Sequence, residues 1–354
     1  MALGKYCNVD GVIKQITSEY VNIGGVIKQG TINAINIGAD IKQISVGEKQ
    51  IWACEDGSDR LYGIDDDHTD LVGWPKYGGG IANPDAVACD DEGNTYWACA
   101  NYVYKFNLAG VQQWMYAGHT SPVTAICLEN RSGITYIYTG DERGTITCLQ
   151  DGGSTYGFGW SRTPYAWEVV GIAFNSSNSN VYAAYAFGYV VRLQTANGNY
   201  ANVFDDVSLR FTSIAIDSQA TRGLYLGDDS GHIRKISVGG DEYWDQSKNG
   251  EINDLVIGHD GYGYYVNGSG GAVGKFSPLT GTNVWLDEPA GTSQGVAVDE
   301  FGNVYSTHGA YGSANAVIRK NSSSGVERWT FQDYINSRWY GIAVSPGIKA
   351  AGFS

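Results

Sequence analysis

Positive charge is scarce in this chain: 354 residues carry 23 Lys and Arg against 37 Asp and Glu, a formal net charge of −14. A nucleic-acid surface needs clustered cations to displace phosphate counterions. No nucleic-acid partner is therefore expected, and an anionic membrane face is disfavoured on the same ground. Long apolar runs are missing too. Nothing near Met1 is long enough for a signal peptide and nothing further along approaches a membrane span, so synthesis in a reducing cytoplasm and no membrane insertion are expected. The six cysteines, Cys7, Cys54, Cys89, Cys99, Cys127 and Cys148, show no C-x-x-C spacing and mostly fall in predicted strands. They read as small buried apolar residues. The five histidines, His68, His119, His232, His259 and His308, are scattered without ligand spacing, and no G-x-S-x-G elbow or Walker-type loop occurs. No metal, no cofactor and no catalytic residue are expected.

Helical periodicity is likewise absent, and a tryptophan cadence stands in its place. Trp74, Trp114, Trp160, Trp244, Trp285 and Trp329 return about every forty residues, with Phe204 where the series calls for another member. That period is the length of one four-stranded propeller blade, so the series predicts an all-β, seven-bladed β-propeller over 48–354. The units repeat an apolar strand, a Gly/Asn/Asp turn and two further strands, and those ending at Trp114, Trp244, Trp285 and Trp329 share a Gly-x-x-x-Trp closure. Asp85-Ala-Val-Ala-Cys89, Thr95-Tyr-Trp-Ala-Cys99, Val103-Tyr-Lys-Phe106 and Gly110-Val-Gln-Gln-Trp114 form one; Gly295-Val-Ala-Val-Asp299 through Gly325-Val-Glu-Arg-Trp329 form another. Branched and aromatic runs bounded by residues that tolerate positive φ are strand and turn chemistry. The last such strand, Trp339–Ser345, has no blade after it, and the first blade, from Gln50 to Trp74, has no inner strand before it. The C-terminal strand is expected to complete the N-terminal blade and close the ring without a covalent bond.

Residues 1–47 stand apart. They carry a fourteen-residue repeat, Val9–Gln15, Ile23–Gln29 and Ile37–Gln43, in which a Gly-containing pair separates two β-rich arms. Three such hairpins hold too few apolar residues to bury a core. Val12, Ile13, Val26, Ile27 and Ile41 are the candidate docking residues, against copies of the same segment or another protein. The cadence Tyr-Val-Asn-Ile-Gly-Gly-Val-Ile-Lys-Gln at 20–29 resembles the short repeats of tail-associated and other virion structural proteins of tailed bacteriophages. The Gly-x-x-x-Trp closures are similar to quinoprotein-type repeats, and Gly118-His119, Pro122-Val123 and Thr139-Gly140-Asp141 to a WD-repeat blade without its final Trp-Asp pair. The first resemblance implies a non-enzymatic, homo-oligomeric virion component bound to other virion proteins through 1–47.

Candidate chemistry is then a matter of surface. His119 with Asp141 reads as a structural hydrogen bond. Asp65-Asp-Asp67, Asp90-Asp-Glu92 and Asp228-Asp229 lack the spacing of a calcium loop and read as solvated turns. Propellers usually bind where the inner strands begin. By alignment of the repeats, Asp85, Thr124, Ser213, Asp254, Gln294 and Tyr340 enter that funnel and are the candidate ligand-binding set. Tyr156, Trp167, Tyr311 and Trp339 are the candidate aromatic contacts. Host-surface binding to a glycan or protein is the leading expectation. A decoration or scaffold protein without receptor binding is the alternative, and a propeller-based lyase or glycan hydrolase stands third.

Overall fold

The computed structural model describes residues 49–55, 59–66, 69–76, 82–217, 223–268, 270–289, 291–309, 317–332 and 339–345 in full, with the backbone of the strands within 6–42 and at Gly347–Lys349. Two compact units emerge, Met1–Lys49 and Gln50–Ser354. In the first, Tyr6–Val9 pairs with Val12–Gln15, Tyr20–Ile23 with Val26–Gln29, and Ile35–Ile37 with Asp40–Lys42, all antiparallel. The side chains of Val12, Ile13, Val26, Ile27 and Ile41 lie outside the described residues.

The second unit is a seven-bladed propeller. Blades two to seven span 84–116, 123–162, 169–205, 211–247, 252–287 and 293–332, each holding four antiparallel strands ordered from the centre outwards. Blade one is assembled from both ends of the unit. Trp339–Ser345 is its inner strand and pairs antiparallel with Gln50–Glu55, Val344 opposite Ile51 and Ala343 opposite Trp52. Inner strands neighbour one another round the ring, and Trp339–Ser345 sits between those of blades seven and two. The C-terminal strand thus closes the ring as its repeat position predicts. Gly347–Lys349 then covers the inner edge of blade seven by pairing with Ala297–Asp299.

Blade one departs from the other six: among the described residues it has three strands rather than four. The segment leading to Trp74 is reduced to isolated bridges, Leu61 to Lys76 and Ile64 to Asp70. Gly73 turns there with φ 88°, and Pro75 has no N–H to give a ladder.

The core lies between blades, in seven layers that match the seven interfaces. Strand alternation explains how one strand serves two layers. Ile342 and Val344 face blade seven with Ile51, Tyr62, Tyr305 and Ile318, while Ala343 faces blade two with Trp52, Val87 and Trp97. Closure therefore rests on an apolar layer of the same kind as every other interface. The described cysteines, Cys54, Cys89, Cys99, Cys127 and Cys148, are all buried.

The tryptophan cadence has a mechanical reason. Each outer strand carries a register shift beside its closing residue, as at Lys105/Phe106, Lys235/Ile236 and Lys275/Phe276, and a bulge re-aims the local side chain. Trp74, Trp160, Trp244 and Trp285 donate their indole N–H to the carbonyls of Leu108, Thr195, Pro278 and Ser323 in the following blade, at 2.9–3.3 Å. Trp114 donates to Asp151 at 3.0 Å. The glycines of the motif answer to the same contact. Gly281 and Gly325 have φ of 73° and 85°, and a Cβ on either would press on the ring of Trp244 or Trp285 from the blade before. Phe204 keeps the packing, against Phe211 at 5.9 Å, but has no proton to donate.

Candidate functional site

Every inner strand is bulged near its start. The register skips Asp85, Thr124, Val170, Thr212 and Asn253 in blades two to six, Gln294 and Gly295 in blade seven, and Tyr340 and Gly341 in blade one. A bulged residue is released from the ladder and its side chain swings away from the pleat. The result is one open cavity of about 290 Å³ lined by residues from every blade. Asp85, Thr124, Ser213, Asp254, Gln294 and Tyr340 all line it, so the structure brings the predicted set together.

Two of the six, Thr124 and Asp254, also hold neighbouring blades together. Thr124 donates its hydroxyl to the Val169 carbonyl of the next blade at 2.7 Å. Thr212 does the same to Ile252, and Asn253 donates its amide to Ser293 O at 2.6 Å. Asp254 accepts from the backbone N–H of Leu255 at 2.9 Å and of Val296 at 3.0 Å. The bulge positions of blades five and six are Thr212 and Asn253, one residue before the predicted Ser213 and Asp254. Sequence reasoning also missed Glu168 and Glu251, which line the cavity ahead of the bulges of blades four and six. Crowding by protein atoms, then the charge of Glu142, pushes the Glu168 carboxyl above its ordinary range, although the residue as a whole is exposed.

The aromatic candidates separate. Trp339 is 1% exposed and packs on Tyr62 at 4.8 Å in the closing layer, which removes it as a ligand contact; it heads an inner strand and its ring turns into the core. Tyr156 lies on the outer strand of blade three, tilted on Trp114 and edge-on to Tyr116. Trp167, half exposed in the connection that ends at Glu168, rests on Phe187. Tyr311 lies outside the described residues.

Other titratable groups are structural. His119 Nδ1 lies 3.0 Å from Asp141 Oδ2, and its Nε2 lies 2.8 Å from Thr139 Oγ1. His308 is held between Ser293 and Ser306, and burial, then Arg319, lowers it to about 3, so the ring stays neutral. The acidic turns are less solvated than their sequence implies. Asp90 and Asp228 are buried and accept backbone N–H groups of their own turns, while Asp66 takes Lys320 at 2.6 Å. At the face opposite the mouth, Lys105 meets Asp151 and Lys275 meets Asp260, with Tyr96 and Tyr264 bonded to the same carboxylates.

No family model matches the chain, and no curated protein is similar to it. Among solved structures it is similar to Raptor of Chaetomium thermophilum, with a TM-score of 0.63 at 10% identity, covering 71% of this chain and 25% of that one. The chain thus spans about a quarter of the length of that protein. Matches extend to 1544 solved chains, a breadth that shows the propeller fold and nothing narrower.

Proposed function

We propose that this chain is a non-enzymatic component of a tailed-phage virion, docked to other virion proteins through residues 1–47 and meeting the host surface with the mouth of its propeller. The observation that carries the reading is the mouth itself: an open cavity of about 290 Å³, polar at its rim, whose shape is fixed by hydrogen bonds between blades. Pre-set shape is what recognition needs, because ordering costs are met during folding rather than at binding. Placement on a virion rests on the repeat cadence at 20–29.

The scaffold reading has its own support in the exposed Phe158, Tyr243 and Val284 on outer strands, since apolar groups at a rim suit neighbouring proteins. Adsorption of particles to host cells separates the two. Changing Gln294 and Glu251 to Ala together is expected to lower adsorption while leaving incorporation unchanged. Normal adsorption of such particles would replace the receptor reading with the scaffold one.

A further inference from the structure

Three Asn-Gly pairs occur in the chain, Asn197-Gly198, Asn249-Gly250 and Asn267-Gly268. At such a pair the glycine nitrogen can close a five-membered ring on the side-chain carbonyl carbon of the asparagine, because no Cβ on the glycine stands in the way. The reaction needs a free asparagine amide and a free glycine N–H. The fold sets the three pairs apart on both counts.

Asn267 is buried, and its side chain is held at both polar atoms: Nδ2 donates to Lys248 O at 3.4 Å and Oδ1 accepts the Ala272 N–H at 2.8 Å. The Gly268 N–H donates to Glu251 O at 2.8 Å. Asn197 is exposed, but its Oδ1 accepts the Asn199 N–H at 2.9 Å. Its glycine is buried against the Trp160 ring and donates its N–H to Gln194 O at 2.8 Å. Asn249-Gly250 differs. The pair lies in the connection from the outer strand Glu242–Ser247 of blade five to the inner strand Ile252–Ile257 of blade six. Asn249 is exposed and left-handed, with φ 58°, a conformation that asparagine tolerates. Neither its side chain nor the Gly250 N–H has a hydrogen-bond partner among the described residues. The main chain is held on either side, by the Lys248 N–H to Gly231 O at 2.7 Å and by Glu251 O.

We propose that Asn249 is a site of spontaneous deamidation in the folded protein, while the fold protects Asn197 and Asn267. The Gly250 nitrogen gives its proton to solvent base and bonds to Asn249 Cγ. The Cγ–Nδ2 bond then breaks, and the nitrogen leaves as ammonia with a proton returned by water. Water opens the cyclic imide: attack at Cγ gives aspartate, and attack at the Asn249 backbone carbonyl carbon gives isoaspartate. One water is consumed and one ammonia released for either product. Both add a carboxylate just before Glu251, which lines the mouth, and isoaspartate also lengthens the main chain there by one carbon.

Peptide mass spectrometry of the full chain kept in mildly alkaline buffer tests this, with each pair's rate in concentrated urea as its reference. Relative to that reference, Asn249 in the folded chain is expected to react at least about tenfold faster than Asn197 or Asn267, since a protected pair must first open locally. Asn249→Gln is expected to remove the main acidic form that isoelectric focusing detects in aged protein, with thermal melting unchanged. Three results would each overturn the assignment: Asn197 or Asn267 reacting as fast as Asn249 in the folded chain, Asn249 staying intact there while it reacts in urea, or the acidic form persisting in the variant.

Discussion

The two faces of the propeller handle acidic residues in opposite ways. On the face opposite the mouth, Asp66, Asp151 and Asp260 each meet a lysine, and Lys105, Lys275 and Lys320 are themselves buried against tyrosine rings. At the mouth, Glu168 and Glu251 have no such partner among the described residues. On the first face Asp66 and Asp151 join neighbouring blades, while Asp260 braces the strands of blade six. Glu168 and Glu251 at the mouth, unlike Asp254, can change without loosening a joint, which is the condition for a surface that evolves toward a ligand.

The largest effect separates two adjacent residues at the mouth. Trp339 fills the closing layer while Tyr340 is released by the bulge. Trp339→Ala is expected to destabilise the propeller by about 3–5 kcal/mol, as truncation of a buried large aromatic does, and deletion of 339–354 to abolish cooperative unfolding. Tyr340→Ala should cost far less. Denaturant titration of both variants decides it, and a truncated chain that melts at the wild-type temperature removes the closure account.

Next comes the contrast between faces. Lys105→Met strands Asp151, whose carboxylate is only slightly exposed, beside Tyr96 and Trp114. Removing one partner of a buried pair costs about 3 kcal/mol or more. Glu251→Gln at the mouth is expected to stay within about 0.5 kcal/mol of wild type. Equal losses in the two variants would erase the distinction between the faces.

Lys248 sharpens the comparison as a buried cation without a carboxylate partner among the described residues. Its Nζ donates to Gly281 O and to Asn283 Oδ1, over the rings of Tyr265 and Phe276. Burial lowers it from 10.5 to about 8. Between those values the folded chain binds fewer protons than the unfolded one, so stability should rise with pH through that window, and below it the charge is a standing cost. Lys248→Met is expected to be more stable than wild type at neutral pH by roughly 1 kcal/mol, after discounting for partial hydration. Its stability should be flatter from pH 8 to 10.5. A Met variant less stable at pH 7 contradicts this.

The number of blades and the closing strand were legible because a bulge, an indole and a glycine recur together, leaving Trp and Gly at fixed spacing. Membership of the mouth was legible for the same reason. Its register was not. A bulge adds a residue outside the period of two, so alignment of apolar runs places Ser213 and Asp254 where the chain actually puts Thr212 and Asn253. Trp339 misled because a large aromatic ahead of a strand looks alike whether its ring turns into the core or out to solvent. The buried lysines had a visible signal, since Lys105, Lys235 and Lys320 recur within the third strand of their repeats. Burial of a cation cannot be read from that position without the acceptor that the next blade supplies, a carboxylate for Lys105 and Lys320 and the Pro278 carbonyl for Lys235.

The smallest effect concerns the single member of the series without an indole. Trp160→Phe keeps the ring in the layer between blades three and four but leaves Thr195 O without its 2.9 Å donor. A net loss of about 1 kcal/mol is expected. Phe204→Trp is the reverse experiment. Val203, Phe204 and Val238 already pack against the same layer, and the turn Ser237–Asp241 is the counterpart of the turns that accept Trp160 and Trp244. An added indole therefore has a carbonyl within its reach only if blade five presents that turn as the others do. A gain of up to about 1 kcal/mol in denaturant titration would make the latch a transferable device. A loss would show that the longer hairpin from Gly198 to Phe204 aims the side chain elsewhere, and that blade four was built around phenylalanine.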